Sequence, residues 1–90
     1  MRNDILRQVK GGYNMTSVLT KLDAYNALLM MAEEGVSSSK ITPELEKVRN
    51  LPLDRVKGGF FGKLGFSAED TDKYIDDLER KISDALAGIR

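Results

Sequence analysis

Two stretches of this chain carry apolar residues at the same spacing, and that spacing restricts the fold more than any other feature. Met15, Val18, Leu22, Tyr25, Leu29, Ala32 and Val36 step alternately by three and four; Ala68, Thr71, Ile75, Leu78, Ile82, Ala85 and Ile89 step identically. Such steps bring the side chains onto one narrow stripe of an α-helix, the heptad seam that packs knobs into holes. Each stretch predicts an amphipathic helix that needs a partner for its stripe.

The ends of both helices are written locally. Asn14 is a good N-cap for the first and Gly35 stands where a glycine stops it. Ser67 caps the second, with Glu69, Asp70 and Asp72 in its positive first turn, Arg80 and Lys81 toward its negative end, and Gly88 to end it. The predicted helices run over 15–34 and 68–87, each about 30 Å long.

A short motif recurs ahead of them. Val9-Lys10-Gly11-Gly12-Tyr13 returns as Val56-Lys57-Gly58-Gly59-Phe60, and the second copy has six further residues, Phe61 to Phe66, before its helix. One domain over 1–90 is expected, with a first repeat at about 7–36, a linker over 37–53 and a second repeat at about 54–89. In the linker, Ser37-Ser38-Ser39 reads as a polar loop and Thr42-Pro43 as the cap and first residue of a short helix whose apolar face is Ile41, Leu45 and Val48. That helix should end near Arg49 or Asn50, before Pro52. Residues 51–66 hold four of the eight glycines and read as extended or turn-like, with room for short β pairing; residues 3–9 fit a helical turn or a strand equally. The expected class is all-α, built from two heptad-seam helices, a short middle helix and glycine-rich turn loops in a pseudo-twofold internal repeat.

Composition removes most chemistry. With no Cys and no His, thiolate and imidazole catalysis and the common zinc sites are unavailable. Neither Lys21 nor Tyr74 has an obvious catalytic partner, and no cofactor is expected. Fourteen basic and fourteen acidic residues give zero formal charge, so no global field attracts nucleic acid. Residues 1–10 interleave Arg2, Asp4, Arg7 and Lys10 with their apolar residues, and no run approaches transmembrane length. A cytoplasmic protein is expected.

The turn-and-helix pattern resembles the N-terminal domain of the DivIVA family of bacterial cell-division and polarity scaffolds. Gly12-Tyr13-Asn14 and Gly65-Phe66-Ser67 are similar to the family's Arg-Gly-Tyr-Asp-like turn. Glu69, Asp70, Asp72, Tyr74, Ile75 and Leu78 resemble its Glu-Val-Asp-x-(Phe/Tyr)-Leu stretch. The likeness covers about half the chain. Membrane-binding members place Phe-Arg directly before the turn glycine, where this chain has Lys10-Gly11 and Lys63-Leu64. The resemblance implies a non-enzymatic scaffold or adaptor, a homo-oligomer, acting in cell division or polarity at the inner face of the membrane. It also implies turn motifs set side by side with parallel helices, which one chain with two copies builds internally, Leu22 near Ile75 and Leu29 near Ile82.

Three groups of residues are candidates for function. The seam residues Val18, Leu22, Tyr25, Leu29, Ile75, Leu78 and Ile82 form either the core of one chain or an association surface between chains. The turn motifs Gly11, Gly12, Tyr13, Gly58, Gly59, Gly65 and Phe66 read as sharp turns ahead of the helices, since neither copy has P-loop spacing. Lys57, Phe60, Phe61 and Lys63 are candidates for contact with a protein partner or an anionic membrane, in a segment where five cations face two acids; packing of the two Phe under the loop is the competing reading. The acids Glu69, Asp70, Asp72, Asp76, Asp77 and Glu79 lack an EF-hand pattern and read as a solvated helix face. The alternative function, a small helical nucleic-acid-binding or regulatory protein, meets seven acids against Lys73, Arg80 and Lys81 in the second long helix.

Overall fold

Helix α1 (Met15–Glu33) starts where the Asn14 side chain accepts the Ser17 N–H at 3.0 Å. It ends at Gly35, whose φ of +92° lets the chain turn while the Gly35 and Val36 amides return to the Ala32 and Met31 carbonyls. Helix α2 (Ser38–Arg49) follows, then helix α3 (Ala68–Leu86), whose cap Ser67 accepts the Asp70 N–H at 3.2 Å. The computed structural model describes residues 6–57 and 62–88. Both long helices end within a residue of the extents read from sequence.

The chain is mostly helical but not all-α. Strand β1 (Gln8–Lys10) pairs antiparallel with strand β2 (Leu64–Phe66), with Val9 opposite Gly65. Phe66 also pairs on its other edge with Tyr13, and Tyr13 in turn with Arg55. Strands of three residues with partners more than fifty positions away leave no periodic signal, which is why a wholly helical expectation fails here.

The middle helix also differs from expectation. It begins at Ser38, four residues before Thr42, and Pro43 lies inside it. The Lys40 and Ile41 amides already close turns on the Ser37 carbonyl. Ile41 is fully buried in register with Leu45 and Val48, and burying a residue of that size contributes about 1.5–3 kcal/mol. That gain offsets the bond Pro43 cannot donate.

Helix α1 packs against both α3 and α2. The α1 and α3 N-termini leave the Tyr13–Phe66 pair together, and Tyr25, midway along α1, meets Glu79, midway along α3, so these helices run parallel. Helix α2 returns antiparallel to α1, its last residue reaching Lys21 and Glu79. The core is Val18, Leu22, Tyr25, Leu28 and Ala32 of α1, Ile41, Leu45 and Val48 of α2, and Leu78 and Ile82 of α3.

Candidate functional site

The two turn motifs meet. The Tyr13 amide donates to the Phe66 carbonyl at 2.8 Å and the Phe66 amide returns to the Tyr13 carbonyl at 2.9 Å. Gly12 and Gly65 are buried against one another's strands: a Cβ on either would lie 2.4 Å from a carbonyl oxygen opposite. These glycines provide close backbone approach rather than the sharp turn expected; of the motif residues described, Gly11, at φ +73°, makes the turn. Gly58, Gly59, Phe60 and Phe61 lie outside the described residues.

Flanking bonds complete this end. The Asn14 amide donates to the Asp54 carbonyl and the Ser67 amide to the Arg7 carbonyl, both at 2.7 Å. Arg7 grips Asp70 through its backbone N–H and guanidinium, with Nε at 2.8 Å, and this hydrogen bonding holds the Asp70 carboxyl below its ordinary range. Tyr13 donates its hydroxyl to Asp72 at 3.1 Å beneath the Arg55 guanidinium, 5.4 Å from the ring centroid. Lys10, Lys57 and Lys63 are exposed here, and Leu64, beside Lys10 on one face of the ribbon, is also exposed.

The seam residues form the interior of one chain. Val18, Leu22, Tyr25, Leu78 and Ile82 are buried, and Leu29 and Ile75 half-buried. Thr71 is fully buried with its hydroxyl lacking a hydrogen-bond partner among the described residues. Near the middle of the bundle Glu79 accepts from Tyr25 at 2.6 Å and from Arg49 at 2.8 Å, tying all three helices together. The Arg49 hydrogen bond lowers the Glu79 pKa, and burial raises the Tyr25 phenol. The carboxylate is thereby held ionised between a phenol and a guanidinium.

Sequence reasoning missed two features. Lys21 is buried at 7% exposure, donating to the Arg49 and Leu51 carbonyls at 2.9 and 2.7 Å, where its charge favours the C-terminus of α2. Burial lowers its pKa. Its heptad place beside the seam was the available signal. Second, Asp70, Asp72 and Glu79 do not belong to a simple solvated face, since each binds a side chain from outside α3. Among the described residues no acidic cluster is placed to hold a metal ion, and no helix is long and apolar enough to cross a membrane.

No protein-family model, curated protein or solved structure matches this chain.

Proposed function

We propose that this chain is a non-enzymatic, DivIVA-like scaffold or adaptor module, acting by self-association and by recognition at its paired-turn end. In this reading one chain holds two copies of the turn-and-helix unit about a pseudo-twofold axis, and works in the cytoplasm, at the inner membrane face where its partner is there.

The reciprocal Tyr13–Phe66 bonds carry the reading. Residues at equivalent places in the two copies make equivalent bonds: Asn14 to Asp54 as Ser67 to Arg7, and each cap residue to the amide three positions on. Leu6 and Leu53, again equivalent, are both half-buried against the core. Each copy's leading strand thus lies on the other copy's turn, as expected of a pair made from two like units.

Self-association is supported by Leu19 at 51% and Met30 at 60% exposure, apolar surface left over once the seam is filled within the chain. Lys10, Lys57 and Lys63 beside Leu64 suit an anionic protein or membrane surface. Light scattering over a dilution series tests the reading. A mass of two chains or more at micromolar concentration is expected; a single-chain mass of 10.0 kDa up to hundreds of micromolar would overturn it.

A further inference from the structure

We propose that a second copy of this chain docks on the face of α3 turned away from α2, with the two α3 helices antiparallel. The inference rests on the self-association reading above and names the surface that performs it.

The bundle has one covered side and one open side. Lys21 on α1 and Glu79 on α3 both reach the end of α2. At about 100° per residue, Leu19 and Met30 lie across the seam from Lys21, and Asp70, Tyr74, Asp77 and Lys81 lie across it from Glu79. Since α1 and α3 run parallel, these two stripes border the same uncovered side. An open groove there is lined by Asp70, Lys73, Tyr74, Asp77 and Lys81, all from α3.

The charge order on that helix identifies the occupant. Along the groove face of α3 it runs acid at Asp70, base at Lys73, acid at Asp77 and base at Lys81, while Asp72, Asp76 and Glu79 lie on its other faces and Asp84 lies beyond the contact. Reversed about a centre near Ile75, Lys73 faces Asp77 of the second copy and Asp77 faces its Lys73; Asp70 faces Arg80 and Lys81 of the second copy but is already held by Arg7 of its own chain, so the two central pairs carry the match. A twofold contact repeats each pair, so this order is complementary to itself when antiparallel and sets like on like when parallel. Tyr74 stands beside the centre, half-buried, its hydroxyl without a hydrogen-bond partner among the described residues. Tyrosine in such a place is a common anchor of interfaces. The exposed Leu19 and Met30 border the contact from α1. Asp77 now pairs with Arg80 and Lys81 on its own helix; exposed pairs of this kind are weak, and exchanging them across an interface costs little.

The test uses the full chain, Asp77→Lys, Lys73→Asp, and an equal mixture of the two variants, each followed by sedimentation velocity. Each variant alone sets like charges opposite and should associate about tenfold more weakly or worse. The mixture restores both opposite-charge pairs and should recover most of the wild-type association. Wild type that stays a single chain overturns the self-association reading and this inference with it. Wild type that associates while neither variant weakens it overturns this surface alone. Weakened variants without recovery on mixing overturn the antiparallel pairing.

Discussion

Gly65→Ala should lower the stability of this chain by about 3 kcal/mol or more, a large share of the roughly 5–10 kcal/mol available to a domain of this size. The added Cβ would lie 2.4 Å from the Tyr13 carbonyl oxygen and 2.7 Å from the Gly12 carbonyl carbon. A Cβ has no rotamer through which to escape, and the atoms it meets are backbone. The strands must separate, stretching the reciprocal Tyr13–Phe66 bonds on which both helices start. Gly12→Ala meets the Phe66 carbonyl at the same 2.4 Å and should behave alike. Gly35→Ala is the contrast: its Cβ has open space and only the positive φ opposes it, for about 1–2 kcal/mol. Thermal unfolding followed by circular dichroism ranks the three. A Gly65→Ala midpoint no lower than that of Gly35→Ala would contradict the close approach of the two turns.

Ile82→Asp should leave the chain unfolded at neutral pH. Ile82 is fully buried in the core that α1 and α3 share, and a carboxylate there has no partner to offset its lost hydration, a cost of several kcal/mol. Leu19→Asp, at a site 51% exposed, should change stability by about 0.5 kcal/mol or less. Urea unfolding of both variants checks the contrast. Equal tolerance of the two substitutions would mean that the seam is not the interior of the chain.

What could be read in advance, and what could not, divides along local against distant determinants. Helices α1 and α3 were legible because caps three residues from their targets, a stopping glycine and an unbroken three-four stripe all lie within each segment. Helix α2 was misplaced at its start because Thr42-Pro43 is a strong local opening signal. The burial of Ile41 against the other helices overrides it. Short β pairing was open over 51–66 and a strand over 3–9, but the pairing of β1 with β2 could not be read, because it depends on two glycines whose lack of a side chain matters only once the strands meet. The burial of Lys21 escaped notice for the same reason: the carbonyls it binds belong to a helix end that arrives from elsewhere in the chain. The seam stripe was legible as a stripe, but periodicity alone does not tell a partner helix in the same chain from one in another.

The parallel pairing of α1 and α3 within one chain brings the two turn motifs to the same end. Because the chain has no Cys of its own, a disulfide between two introduced cysteines tests this directly. Leu22→Cys with Ile75→Cys places the thiols at matching seam positions and should give an oxidised species that migrates as one cross-linked chain. Leu22→Cys with Ile82→Cys sets them about 10 Å out of step along the helices, beyond disulfide reach, and should stay reduced. Oxidation of the second pair in preference to the first, or a cross-link that joins only separate chains, would contradict the parallel pair.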